Sequence, residues 1–553
     1  MLSPPMLALA ALAFGVAIAE AQRPTPPGLV EPPAGVLAAL TEQILSAHLR
    51  FLTDDLLEGR GPGTRGGDLA ARYIAAQLQA TGLRPVASSS YAQSVPLVGI
   101  RSEASLVVGT GRRTMVLDEG TDFVLRPELQ DSQIVFDGEL VFAGFGIDAP
   151  EESWNDFAGG GVAGKVVVVR AGEPGGTDSS AFGGSAATQY GSWSYKVDQA
   201  RRAGAAGVLL IHDLAAGAGP WDAVVATWRR EIMVPERVGA QGLRFAGWIT
   251  PEAARRMVEA TGKDYALVMR RAEVPGFRAI DLGARAALDL HANIRGVRHA
   301  NLIGMLDGSD TSAASEPIYF VAHYDHLGIG LPENGDSVYN GAVDNASGTA
   351  ALLALARAFA SASHRPRRSI VFAATTAGEA GLAGAIRLAA GPPMPERISA
   401  VINLHEIGLW DGSDELVGIG ADLSTLGTVL RDAAKLEGLV LSSPSGERAG
   451  DIYVSDHSVF ARLGVPVLAL ATQGARRSVR SDAGRSNGTA RYRAERWHRP
   501  SDEVGEEANL SALVRQLRML ARLGWHVAQD SSPAAWLPGS AFESIPRRTP
   551  PAR

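Results

Sequence analysis

From His299 onward the chain alternates short apolar strands with helical segments, and this alternation limits the architectures open to it. PIYFVAHYDH is followed by TAALLALARAFA, then SIVFAATT, GLAGAIRLAA and ISAVINLHEIG. Such a succession predicts an α/β domain, a mainly parallel mixed sheet flanked by helices, because parallel neighbours need crossover connections. In sheets of this kind functional groups gather beyond the carboxyl ends of the strands. The polar residues fall there: His323 and Asp325 end the first strand, Glu379 follows the second, and His405 with Glu406 lies near the end of the third.

Upstream the texture changes. Within 41–85, SAHLRFLTDDLLEGRGPGTRGGDLAARYIAAQLQATGL predicts two amphipathic helices around a Gly-rich turn. From 105 to 290, segments such as ASLVV, GELVFAGFG, KVVVVRAG and GAAGVLLIHD, parted by Gly and Asp turns, predict a separate β-rich domain. The expected organisation is a leader over 1–21, a first part of the main domain over 22–104, the β-rich insert over 105–290, the main domain over 291–530, and a Pro- and Arg-bearing tail without structure over 531–553. The leader rests on the 14-residue apolar run MLALAALAFGVAIA and the small-x-small Ala19-Glu20-Ala21 after it. That run is too short to span a membrane, so a secreted or periplasmic protein is expected.

Composition narrows the chemistry. The chain has no Cys, which excludes disulfides, thiol catalysis and thiolate metal sites, so any metal must sit on His and carboxylates. A net charge of -7 gives no reason to expect nucleic acid. Two divalent ions sharing a site need a carboxylate that can bridge them, further ligands on each and an open position for water. The candidates are His323 in AHYDHLG, Asp344 in YNGAVDNASG, Glu379 in GEAGLAG and His498 in WHRPSDE, with Asp325 placed to orient the His323 ring and Asp502 a partner for His498.

Taken together, HYDHLG, NGAVDNASGTAALLALA, GEAGLAG, NLHEIG, SDHSVFARLGVPVLAL and WHRPSDE resemble successive motifs of the co-catalytic zinc exopeptidases that include bacterial leucyl aminopeptidases and glutamate carboxypeptidase. LEGRGPGTRGGDLAARYIAAQL looks like that family's opening segment, and GKVVVVRAG with YKVDQARRAGAAGVLLIHD is similar to the protease-associated domain often inserted in it. The resemblance implies a zinc-exopeptidase fold, two zinc ions, peptide substrates, and His323, Asp344, Glu379 and His498 as ligands with Asp344 bridging. The fifth ligand position, Asp in the family, is His405 here, with Glu406 beside it. Strand alternation would let one of the two face the metals: His405 is the favoured ligand and Glu406 the alternative.

A second departure bears on catalysis. The family places Glu immediately before the ligand Glu, as the base that takes a proton from the metal-bridging water and returns it to the leaving amine. Here that position is Gly378. General acid–base help is worth ~10²–10⁴-fold, and Glu406 is the candidate replacement. The expected function is a metal-dependent exopeptidase, an aminopeptidase, with a rearranged acid–base group. A binding or scaffold protein of the same fold and a metallo-esterase are the alternatives. On this reading, Gly378→Glu should raise amide hydrolysis.

Other signals carry less. Asp456 and His457 in SDHSVF are expected to buttress the pocket, and His326 beside Asp325 is ambiguous. Trp497 stands where some relatives carry Tyr, which removes a hydroxyl. GRSNG at 484–488 lies in an Arg-rich loop rather than between strand and helix, so its match to a serine-hydrolase elbow is taken as chance.

Overall fold

Strand Ile318–His323 is buried along its whole length, and its side chains divide between two cores. Ile318, Phe320 and Ala322 join the cluster under helices Glu42–Leu52, Arg65–Ala80, Gly348–Ala360 and Leu510–Gln529, whereas Tyr319 and Val321 join the cluster on the opposite face. A strand covered on both sides reads as a continuous apolar run, as IYFVA does. In the computed structural model residues 28–547 are described, apart from 86–89, 112, 176–181, 183–187, 215–219, 237–241, 392–396, 410–413, 445, 473–491, 493–494 and 506–507. The expected leader, GRSNG and most of the Arg-rich loop lie outside the described residues.

The sheet around this strand is mixed. Ile370–Thr375, Ile318–His323, Ala400–Asn403 and Val467–Thr472 are mutually parallel neighbours. Glu415–Ile419 runs antiparallel beyond Val467–Thr472, and Ile280–Leu306 runs antiparallel to Ile370–Thr375 on the other side. The parallel order brings the carboxyl ends of the four central strands to one edge.

Ile280–Leu306 is 27 residues long and belongs to two halves of the molecule. Its first part pairs with Gln133–Phe142 and alternates buried and exposed side chains, with Leu282, Ala284, Ala286, Leu288 and Leu290 packed into a second apolar cluster. Its last part, Leu302–Leu306, pairs with Ile370–Thr375. Ala92–Thr110 pairs alongside it, so the expected boundaries at 104/105 and 290/291 fall inside two long strands that run through both halves. The insert continues the same sheet through Val166–Arg170, Gly207–Ile211, Phe245–Ile249 and Phe123–Pro127.

The expectation of an unstructured tail is corrected for 531–547. Trp536 donates its indole N–H to the Gly464 carbonyl at 3.1 Å and stacks on Phe542, which is buried against the Tyr319 face of the sheet. The Pro, Arg and Ser content of this segment hides three apolar anchors, Trp536, Phe542 and Ile545. Among the described residues no helix is long and apolar enough to cross a membrane.

Candidate metal centre

The site is assembled by loops that leave the carboxyl ends of the parallel strands. His323 closes its strand, and its Nδ1 lies 3.1 Å from the Asp325 main-chain oxygen. A carbonyl can only accept, so Nδ1 carries the proton and Nε2 is left as a lone-pair donor facing the cavity. The spacing of the two residues predicts the Asp325 carboxylate as the orienting group, and here the structure corrects it. That carboxylate is 3.9 Å away, because the chain turns back after His323 and presents its carbonyl first. Asp325 Oδ1 instead accepts the Gly378 N–H at 3.1 Å, and burial pushes the carboxyl up to about 7.

Asp344 lies in the turn Ala342–Ser347 before helix Gly348–Ala360. Asp502 holds this turn from behind: its Oδ1 accepts the Val343 N–H at 3.0 Å, and its Oδ2 accepts the Asp344 N–H at 3.2 Å and the Tyr492 hydroxyl at 3.0 Å. The expected pairing of Asp502 with His498 is thereby corrected. Main-chain amides of a buried turn are obligatory donors, and Asp502 is the carboxylate that satisfies them.

A second brace comes from the N-terminal segment, in which the sequence shows no chemistry. Arg60 is fully buried, with Nε donating to Tyr324 O at 2.8 Å, Nη1 to Leu52 O and to Asn340 O at 2.6 Å, and Nη2 to Gly341 O at 3.0 Å. It therefore ties the turn after His323 to the turn before Asp344. Arg60→Met would leave these carbonyls without their donors, and we expect it to destabilise the fold by about 3–5 kcal/mol in a denaturant titration.

The two oxygens of Asp344 serve different partners. Oδ1 is 3.3 Å from His323 Nε2 and 3.6 Å from His405 Nε2. Oδ2 is 3.3 Å from His498 Nε2, which is itself 3.3 Å from Glu379 Oε2. These gaps exceed the usual hydrogen-bond range of about 2.7–3.2 Å. Three of the four match the ~3.3–3.4 Å that separates donors placed tetrahedrally about 2.0–2.1 Å from one ion. Asp344 Oδ1 is buried and has no hydrogen-bond partner. The donor set therefore fits divalent metal, with Asp344 placed between the His323 and His405 side and the Glu379 and His498 side.

Electrostatics point the same way. Burial disfavours the charged form of His323, but the Asp344 carboxylate outweighs it and lifts the ring to about 10. His498 is lifted to about 10 against the same burial effect, by Glu379 and Asp344. Asp344 itself is held well below the carboxylate range: burial opposes this, and His323, His405 and His498 outweigh it. Acids this confined demand positive charge, and a divalent ion supplies it while leaving each imidazole free to coordinate.

His405 and Glu406 depart from the alternation expected of strand neighbours. Strand Ala400–Asn403 stops before them, and Glu406 adopts a left-handed φ of 48° with its N–H donating to Asn345 Oδ1 at 3.2 Å. Both side chains consequently line one cavity of about 290 Å³. Its other walls include apolar Leu382, Ile419, Val454 and Ala469, together with Asp451, a carboxylate that no sequence motif marks. His457 also lines it, but both ring nitrogens are engaged: Nδ1 accepts from Asn403 Nδ2 and Nε2 donates to Asp451 O, each at 3.0 Å. Trp497 stacks on the His498 ring, with centroids 3.8 Å apart.

Gly378 is enclosed. A Cβ placed there would lie 2.6 Å from His323 Cγ and 2.9 Å from His323 Nδ1. The insert bears on the same loop, with Met233 packed on the cluster that holds Ala377, Ala380 and Ala383.

Comparison with known proteins finds similar chains. Mouse aminopeptidase NAALADL1 is 32% identical over 139 residues, which cover 24% of this chain and 17% of that relative's length. The aminopeptidase from Aneurinibacillus sp. strain AM-1 shares the fold, with a TM-score of 0.52 at 18% identity over 93% of this chain and 99% of its own. A zinc aminopeptidase from Bacillus subtilis aligns with a TM-score of 0.46 at 19% identity, over 92% and 99%. The stretch that carries all five candidate ligands, residues 301–523, matches the model of peptidase family M28.

Proposed function

We propose that the protein is a metal-dependent aminopeptidase that uses two zinc ions. The observation that carries this reading is the division of Asp344, with one oxygen on His323 and His405 and the other on His498 beside Glu379. His323, Asp344 and His405 would hold one ion, and Asp344, Glu379 and His498 the other. Bound there, the ions would supply Lewis acidity and an activated water. The apolar wall of Leu382, Ile419 and Val454 accepts an aliphatic side chain, and the carboxylates of Glu406 and Asp451 in the same cavity suit a terminal ammonium rather than a terminal carboxylate.

Proton delivery falls to Glu406. Gly378 has no side chain, and Asp325 is buried behind it rather than in the cavity wall. Glu406 shares the wall with the candidate ligands, where its carboxylate can take a proton from water and return it to the departing amine. Glu406→Gln should lower kcat on an aminoacyl amide by about 10²-fold with metal content unchanged. An unchanged kcat would remove Glu406 from the mechanism.

The test of the whole reading is metal analysis paired with a substrate panel. Protein purified without chelator should contain two equivalents of zinc and release the first residue of leucyl peptides. Chelation should abolish turnover and lower the melting temperature by on the order of 5 °C, since a ligand at 100 times its Kd stabilises by ~2.7 kcal/mol. Gly378 favours one competing reading, a metallo-esterase, whose alkoxide leaving group needs less proton assistance. Turnover of aminoacyl esters without amides would select it.

Export follows from the apolar run at 6–19, and N-terminal sequencing of the mature protein should begin after Ala21. The insert is assigned the access-shaping role of a protease-associated domain, on the strength of its packing against the loop that carries Gly378 and Glu379.

A further inference from the structure

One more buried side chain faces these acids and has no hydrogen-bond partner among the described residues. We propose that His326 is a sixth metal donor, on the Glu379 and His498 side of the site; this rests on the two-ion reading above. His326 is 1% exposed, and neither ring nitrogen has a hydrogen-bond partner among the described residues. Each buried nitrogen left unpaired costs about 1–3 kcal/mol, so an arrangement that strands both calls for a partner that is not protein.

The surroundings supply the place for it. His326 Nδ1 is 3.7 Å from Glu379 Oε1, and its ring meets that of His498 edge-on at 5.8 Å. One nitrogen of His326 and one oxygen each of Asp344 and Glu379 lie within 4.8 Å of one another. The backbone makes room for the ring. Gly341 has a φ of 57°, and a Cβ there would lie 2.4 Å from His326 Cγ. The imidazole thus packs on the bare main chain of the segment that leads to Asp344.

With His326 included, the two halves of the site differ in kind. Four protein donors, His326, Asp344, Glu379 and His498, make a closed set of the type found in structural sites. Three donors, His323, Asp344 and His405, make an open set of the type that keeps a position for water or substrate. His326 does not line the cavity, whereas Glu379 and His498 share its wall with His323, His405 and Glu406. The open donor set assigns the reacting position to the His323 and His405 side, beside Glu406.

The experiment uses the full chain, stripped of metal and titrated with zinc alone against a chromophoric chelator. Wild type, His326→Phe and His326→Asn are compared; Phe fills the ring volume without a donor, and Asn returns a donor near the place of Nδ1. The wild type should bind two ions. His326→Phe should hold one ion as before and the other at least ~100-fold more weakly, beyond the 10–100-fold typical of a residue that only orients a ligand. His326→Asn should recover at least tenfold of that loss. The metal-free circular dichroism and melting curve of each variant should match those of the wild type.

A loss below ~100-fold in His326→Phe overturns the assignment while leaving the two-ion reading intact. A wild type that binds no zinc overturns both. If His326→Phe fails to fold, the wild type loaded with cobalt decides: one of its two ions should show the intense visible absorption of a four-coordinate site, and its absence overturns the proposal.

Discussion

Asp344→Asn is expected to release both ions at once and to lower peptide hydrolysis by ~10³-fold or more. The size follows from position. Asp344 Oδ1 stands 3.3 Å and 3.6 Å from two imidazoles and Oδ2 stands 3.3 Å from a third, so this one side chain reaches both halves of the site. An amide in its place offers one oxygen and an NH2 with two donor hydrogens, which cannot bridge two cations. Loss of the metals removes several kcal/mol of charge stabilisation, and each 1.36 kcal/mol is tenfold in rate. The mutant should still fold, because Asp502 holds the turn through main-chain amides that the substitution leaves in place. Elemental analysis of the purified mutant, with wild type alongside, decides the matter; a mutant retaining one full equivalent would show that Asp344 does not bridge.

The second large effect is the reverse of what motif comparison alone predicts. Gly378→Glu puts back the carboxylate that the family places before its ligand Glu, and on sequence grounds it should raise amide hydrolysis. The structure predicts a fall of about 10³-fold. A Cβ at 378 would lie 2.6 Å from His323 Cγ and 2.8 Å from its Cβ, so the ring must move before the new carboxylate finds any place. His323 has little freedom to move, since its Nδ1 is tied to the Asp325 carbonyl and its ring is buried. Displacing a ligand by about 1 Å costs ~10²-fold in rate, and disturbing its support costs ~10–100-fold in metal affinity. Gly378→Ala separates the two effects, because it adds the Cβ without the acid. If Gly378→Ala binds zinc as the wild type does and Gly378→Glu is faster on amides, the steric argument is wrong and the missing base alone limits the enzyme.

How much of this was legible beforehand varies with the kind of interaction. The sheet was readable because IYFVA, IVFAA and AVI are unbroken apolar runs, and burial on both faces leaves no other pattern. The resemblance is what singled out His323, Asp344, Glu379, His405 and His498 together; the parallel sheet explains part of their meeting, since it delivers strand ends to one edge. Arg60 was not, because its partners are main-chain carbonyls 8 to 281 residues away, and no pattern in the sequence records where a carbonyl will point. The shared orientation of His405 and Glu406 was missed because alternation applies only while the strand lasts, and it ends at Asn403.

The residue types by themselves determined the fold class and the metal chemistry: without Cys, and with His and carboxylates at strand ends, a His and carboxylate site was the one open to this chain. Only the tertiary structure decided what Gly378 means. In the sequence it is a missing base; in the folded protein it is the space into which the His323 ring fits, because two loops separated by more than fifty residues approach there to within a side chain's width.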